Sequence, residues 1–257
     1  MDFLSWNKEG NVAQVVISSP PANALSSGIL MDLDKVLDEV EKDKEIKTIV
    51  LKGEGKFFSA GADIKEFTSF QKEDDYAGLS KKGQALFNRI EQFHIPVIAS
   101  IHGASLGGGL ELAMACHVRI VTKDAKLGLP ELNLGIIPGF AGSQRLPRYV
   151  GLPKAYEMIL TGEPITGEEA AQYGLANHAV AEEELEVVTN KLASKFASKS
   201  GPSIKAIMEL LPYAQTSSFQ DGVSKEAEEF GKVFGNDDAK EGIQAFIDKR
   251  KPDFKDQ

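Results

Sequence analysis

Four short apolar runs rich in β-branched residues, at 12–17, 48–51, 96–101 and 118–122, limit what this chain can fold into, because segments with helical periodicity stand between them. The first run stops at Ser18-Ser19-Pro20-Pro21, where proline removes the donor that a strand ladder needs. From Ser26, an N-cap residue type, Leu30, Leu33, Val36, Leu37 and Val40 recur at spacings of three and four, which predicts an amphipathic helix. The run 48–51 then reads as a buried strand. Ala85, Leu86, Ile90 and Phe93 mark a second helix, and Gly107-Gly108-Gly109 starts a third. Strands and helices that alternate in this way predict an α/β core.

After about residue 140 the pattern changes to helices separated by Gly and Pro, at 154–160, 167–173, 183–198, 203–211, 219–233 and 238–249. One sheet cannot cover all their apolar faces, which favours packing on another subunit. The cluster Lys249-Arg250-Lys251-Pro252 reads as a solvated helix end that interacts with the helix dipole. With 257 residues and 42% hydrophobic content, the chain can bury a full core, and no linker-like stretch divides it. Its 29 basic and 38 acidic residues give a formal charge of −9, which argues against a general binder of nucleic acid or anionic membranes. No apolar run reaches the roughly 18 to 20 residues of a membrane span, and Cys116 is the single cysteine. With no basic segment and apolar stretch at the N-terminus, these features lead us to expect a soluble, cytoplasmic protein.

Chemistry concentrates on two carboxylates. Glu111 lies in the apolar run Leu106-Gly107-Gly108-Gly109-Leu110-Glu111-Leu112-Ala113-Met114-Ala115-Cys116, and Glu131 lies in Leu127-Gly128-Leu129-Pro130-Glu131-Leu132. A carboxylate among such neighbours loses water on folding, a cost that must be met by pairing, protonation or use. Glu111 is therefore either a buried ion pair, with Arg119 or Arg145 as partner, or half of an acid/base couple with Glu131. The triple glycine places free backbone N–H donors and a carboxylate within one helical turn, a combination suited to polarising a carbonyl. His102 and His117 form no metal-ligand spacing with Cys116, which reads as a small buried hydrophobe. Gly53-Glu54-Gly55-Lys56 lacks the phosphate-loop spacing and reads as a turn.

Three segments together resemble the enoyl-CoA hydratase/isomerase (crotonase) superfamily, and the similarity covers nearly the whole chain. They are Phe57-Phe58-Ser59-Ala60-Gly61-Ala62-Asp63-Ile64-Lys65-Glu66, then Gly103-Ala104-Ser105-Leu106-Gly107-Gly108-Gly109-Leu110-Glu111-Leu112-Ala113, and Pro130-Glu131-Leu132-Asn133-Leu134-Gly135-Ile136-Ile137-Pro138-Gly139 continued by Gly142-Ser143-Gln144-Arg145-Leu146. The resemblance implies a crotonase-like spiral of ββα units followed by a helical C-terminal trimerisation region. On that division, residues 1–195 form the spiral core with the CoA and acyl site, and 196–257 serve oligomerisation, usually as a homohexamer built as a dimer of trimers.

The same resemblance implies an acyl-CoA thioester substrate, with coenzyme A part of the substrate and no separate cofactor. Backbone N–H groups of Ala60 and Gly108 would form an oxyanion hole for the thioester carbonyl, where charge accumulates as an enolate develops. Glu111 would orient and activate a water for C3 of a trans-2-enoyl-CoA, while Glu131 would hold that water and supply the C2 proton. Ala22, Ala24, Ala62, Asp63 and Ile64 would line the CoA path. Gly139 would lie beside the catalytic water, and Phe246 and Lys249 would reach the CoA of a neighbouring subunit, Lys249 towards a phosphate. At Phe140 many hydratases carry Ala, so a large ring here is expected to narrow or reshape the acyl pocket.

The expected activity is reversible hydration of 2-enoyl-CoA in fatty-acid or related acyl-CoA breakdown. Double-bond isomerisation, which works with one relaying glutamate, is the alternative within the family. A non-catalytic or RNA-binding use of the fold is the alternative outside it, disfavoured by the acidic composition and the intact carboxylate pair. The polar segment 71–78 fits either a loop over the acyl pocket or a solvated connector.

Overall fold

A computed structural model describes residues 1–67, 73–215 and 218–256. The chain opens with β1 (Leu4–Glu9), β2 (Val12–Ile17), α1 (Ser27–Lys42), β3 (Thr48–Gly53) and β4 (Phe57–Ser59). It continues through α2 (Ile64–Phe67), α3 (Glu73–Glu91), β5 (Val97–Ile101), β6 (Ala104–Leu106), α4 (Gly108–Ala115), β7 (Val118–Thr122) and β8 (Lys126–Gly128). Beyond a 3-10 turn at Glu131–Leu134 come α5 (Gly142–Val150), α6 (Leu152–Thr161), β9 (Ile165–Thr166), α7 (Gly167–Gln172), β10 (His178–Val180) and α8 (Leu185–Ala197). The last helices are α9 (Gly201–Leu210), α10 (Phe219–Phe234) and α11 (Asp237–Ile247).

The strands form two sheets, one ordered β1-β2-β3-β5-β7-β10 and the other β4-β6-β8-β9. β1 pairs antiparallel with β2, and every later pairing in the larger sheet is parallel. Three times the chain runs a long strand through the larger sheet, crosses at once to a three-residue strand in the smaller one, and leaves for helical structure. The crossings are β3 to β4, β5 to β6 and β7 to β8. This is the ββα spiral that the resemblance implies. Sequence periodicity identifies β3, β5 and β7 but misses their short companions, because three residues carry no readable alternation.

Parallel strands covered on both faces read as continuous apolar runs, and the larger sheet follows that rule. Ala13, Val15, Ile17, Ile49, Leu51, Ala99 and Ile101 face the main core beneath α1 and α4. The alternate positions Val12, Val50, Ile98 and Ile120 meet Leu185 and Ala193 of α8. Two polar residues on that second face are matched across it: Gln14 Nε2 donates to Asn190 Oδ1 at 3.1 Å, and the hydroxyls of Ser100 and Thr189 lie 3.2 Å apart. The predicted N-cap holds, since Ser26 Oγ accepts from Ile29 N–H at the start of α1.

Several expectations meet a different structure. Of the expected polar loop at 71–78, Gln71 and Lys72 lie outside the described residues, and from Glu73 onward the chain is already helical in α3. In the basic C-terminal cluster, Arg250 forks onto the carboxylate of Glu241 at 2.6 and 2.9 Å, so it is paired as well as placed at a helix end. α10 and α11 leave Phe219, Phe230, Phe234, Phe246 and Ile247 exposed. Among the described residues, no helix is long and apolar enough to cross a membrane.

Candidate active site

The site forms where α4 begins, between the loop after β4 and the segment joining β8 to α5. The loop Ala22–Leu25 is laced to the loop after β4 by three backbone bonds: Ala60 N–H to Ala22 O at 2.9 Å, Leu25 N–H to Gly61 O at 2.7 Å and Asp63 N–H to Leu25 O at 3.1 Å. This lacing corrects one expectation. The Ala60 N–H is turned into the protein and spent on Ala22, so it is not available to a substrate oxygen. Two residues on, the N–H of Ala62 escapes the lacing, because the bridge between Leu25 and Ala62 uses only the flanking groups Gly61 O and Asp63 N.

Ala62 N stands close to Gly108, and a Cβ built on Gly108 would lie 3.2 Å from it. Gly108 opens α4, and a first-turn N–H has no partner inside its helix. Among the described residues, neither the Ala62 nor the Gly108 N–H donates to a protein oxygen. The two unspent donors are neighbours, and the missing side chain at 108 leaves space beside them.

Both carboxylates border that place. Glu131 sits at the head of the 3-10 turn, and a Cβ on Gly107 would lie 2.8 Å from its Oε1. Glu111 is one turn into α4 and only 1% exposed. Its Oε1 accepts two backbone donors, Phe140 N–H and Gly142 N–H, each at 2.7 Å. Both bonds end on Oε1, and among the described residues no protein donor reaches Oε2. A Cβ at 142 would stand 2.9 Å from both Cγ and Oε1 of Glu111, so glycine there is a steric requirement of the carboxylate's position. Glu131 is 9% exposed, and its buried Oε2 has no hydrogen-bond partner.

Neither arginine pairs with Glu111. Arg119 donates to the carbonyls of Leu175, Ala113 and Cys116, closing the C-terminal end of α4. Arg145 donates to Phe140 O and binds Glu91 and Asn88 of α3. Burial pushes the Glu111 carboxyl up to about 7; the charge of Glu131 adds to the rise, while the two N–H donors and the Arg145 cation oppose it. Burial also raises Glu131, against its own backbone N–H. Burial thus favours the protonated form of both carboxyls, and the charge of Glu131 reinforces this at Glu111.

Phe140 lies where its chemistry bears on the site. One edge of its ring would touch a Cβ at Gly83 at 2.4 Å, the other a Cβ at Gly108 at 3.3 Å, and Phe87 meets it edge-on with centroids 5.3 Å apart. The ring therefore fills the gap between α3 and α4 beside the free donors. Gly139 O accepts from Ser80 Oγ at 2.5 Å and from Gln84 Nε2 at 3.0 Å. Ala22 and Ala24 are half-buried on the laced loop, and Asp63 and Ile64 follow Ala62 into α2. Phe246 is 84% exposed near the end of α11, and Lys249 follows with φ 53°.

The structure thus gathers Glu111, Glu131, Gly108, Ala62, Gly139 and Phe140, and leaves Phe246 and Lys249 at the surface of the C-terminal helices. Sequence reasoning assigned no role to Gly142, Ser80 or Gln84, and read Gly107 only as part of the triple glycine. The glycines stood inside the quoted motifs, whereas the α3 pair carried no signal. Cys116 is buried as expected, and burial pushes its thiol up to about 12. Both nitrogens of His117 are engaged, Nδ1 accepting from Val97 N–H and Nε2 meeting Glu91 O. A cavity of about 850 Å³ lies elsewhere, between the C-terminal ends of α3 and α4 and helix α9.

A family model described as enoyl-CoA hydratase/isomerase matches residues 7–257. A Bacillus subtilis (strain 168) protein described as "Probable enoyl-CoA hydratase" is 55% identical over 257 residues, 99% of each chain. The short-chain-enoyl-CoA hydratase of Clostridium acetobutylicum is 40% identical over 247 residues, which cover 95% of this chain and 94% of that one. The crystal structure of an enoyl-CoA hydratase from Bacillus anthracis superposes with a TM-score of 0.94 at 34% identity, covering 99% of this chain and 100% of that chain.

Proposed function

The chain belongs to the enoyl-CoA hydratase/isomerase family, and from that premise we propose that it adds water reversibly to a trans-2-enoyl-CoA, giving the 3-hydroxyacyl-CoA. One observation carries the reading: two buried carboxyls border a pair of unspent backbone N–H groups, and each retains an oxygen without a protein partner.

The thioester oxygen accepts from the N–H groups of Ala62 and Gly108, which stabilise the negative charge that gathers there as the water oxygen bonds to C3. Glu111, held through Oε1, orients the water with Oε2 and takes its proton. Glu131 holds the same water and delivers a proton to C2, so one H and one OH are added; the pair's single proton then sits on Glu111 instead of Glu131, and its return readies the site for the next turnover. These groups account for every proton moved, and the proposed chemistry needs no cofactor beyond the coenzyme A of the substrate. The exposed apolar residues of α10 and α11 support assembly of residues 196–257 into trimers and a hexamer, with Phe246 and Lys249 meeting a neighbour's CoA. A cytoplasmic role in acyl-CoA breakdown suits an acidic chain with one buried thiol.

Loss of the conjugated thioester absorbance on mixing with crotonyl-CoA, with mass spectrometry showing one added water, tests the reaction. Glu131→Gln should retain CoA binding while turnover falls about 10²- to 10⁴-fold. Binding of crotonyl-CoA without hydration would overturn the proposal.

A further inference from the structure

Glu111 is held by a turn, and that turn is itself held. Its Oε1 takes the N–H groups of Phe140 and Gly142. The carbonyl of Phe140 accepts from Arg145 Nη1 at 2.9 Å. Arg145 is 2% exposed, and α3 fixes its remaining donors: Nη2 reaches Asn88 Oδ1 at 2.6 Å and Glu91 Oε2 at 2.9 Å, and Nε reaches Glu91 Oε2 at 3.1 Å. One residue earlier in the same turn, Gly139 O is bound by Ser80 and Gln84, also of α3. The planar guanidinium joins three partners at fixed angles, which a lysine cannot reproduce.

We infer that Arg145 is a positioning residue for the hydration step, transmitting the rigidity of α3 to the turn that orients Glu111. This rests on the hydratase reading, and it deepens it by assigning the orientation of the water-activating carboxylate to a side chain that touches neither substrate nor water.

The charge of Arg145 adds a second signature. Among the described residues, the charged groups bearing on Glu111 are Glu131 from the 3-10 turn and Arg145 from α5. Behind Arg145 stands Glu91 of α3, which Arg148 also contacts. Arg145 favours the ionised form of Glu111 against burial, so removing the cation raises the carboxyl further. Glu111 works as a base, and its ionisation limits the rate on the acid side, so that limb of the pH profile moves to higher pH.

The test compares Arg145→Gln and Arg145→Lys with the unaltered protein, following kcat, KM and the pH dependence of crotonyl-CoA hydration. Arg145→Gln should lose about 10- to 100-fold in kcat with KM nearly unchanged, a size expected for slight misplacement of a reacting group, and its acid limb should move up in pH. Arg145→Lys keeps the charge without the fork, so its acid limb should stay in place while kcat remains depressed. A fall in rate with the limb unmoved in Arg145→Gln, or an unchanged rate, would overturn the inference. A second readout separates it from the function itself. Carbon-13 carboxyl titration of glutamate-labelled protein, with the Glu111 resonance assigned through Glu111→Gln, should show Glu111 titrating higher in Arg145→Gln. If the unaltered protein fails to hydrate, the hydratase reading fails, and an unmoved Glu111 titration refutes the role of Arg145 on its own terms.

Discussion

Replacing Glu111 by Gln should make the protein more stable above neutral pH while it abolishes turnover. Burial raises this carboxyl from 4.5 to about 7, so the folded protein holds the proton more tightly than the unfolded chain. The stability linked to that proton is fully present below the unfolded value and is lost as pH rises through the folded one. At about 1.4 kcal/mol per pKa unit, a rise of this size corresponds to roughly 3 kcal/mol. Gln carries no charge at any pH, and its carbonyl can still accept from the N–H groups of Phe140 and Gly142, so it avoids the loss without emptying the site. Urea unfolding of both proteins, at one protein concentration because assembly contributes to stability, should give curves that separate progressively between about pH 4.5 and about pH 8. The variant should be the more stable at the upper end. Burial also raises Glu131, and its charge bears on Glu111, so the separation is spread over a wider pH range than a single group would give. Parallel pH dependence in the two proteins would refute the argument, because it would mean that Glu111 is as ionisable in the folded chain as in the unfolded one.

A methyl group at 108 would lie 3.2 Å from Ala62 N and 3.3 Å from the Phe140 ring, crowding the space between the two donors. Gly108→Ala should therefore lower kcat about 10²- to 10³-fold, the usual cost of losing an oxyanion donor, with the circular dichroism spectrum unchanged; steady-state hydration at the normal rate would refute it. Phe140→Ala empties the space between α3 and α4 and should cost about 3 to 5 kcal/mol in urea unfolding. The same variant should raise kcat/KM for long-chain enoyl-CoA relative to crotonyl-CoA, and an unaltered ratio would show that the ring does not bound the acyl pocket.

What could be read from sequence follows from how far each signal travels along the chain. β2, β3, β5 and β7 are buried on both faces and announce themselves as apolar runs, and α1 carries its cap and its stripe within sixteen residues. β4, β6 and β8 exist only as pairings between distant three-residue segments. α5 was passed over because Gly142 and Pro147 stand inside it, yet the glycine is there for Glu111 and the proline does not stop the helix. The carboxylates were legible for a different reason: a charge among Leu, Ala and Met is costly enough to demand an explanation wherever it occurs.

The choice between Ala60 and Ala62 shows where that legibility ends. Both are alanines in one motif, two residues apart, and each has one N–H. What separates them is that Ala22, far away in the chain, offers a carbonyl to one and not to the other. A donor built from backbone has no residue type to betray it, so only the long-range lacing of the Ala22–Leu25 loop decides which amide remains free. The consequence is mechanical as well as chemical. The bond from Ala60 ties the strand exit to the Ala22–Leu25 loop, so the first alanine is spent on the lacing while the N–H of the second stays unspent beside Gly108.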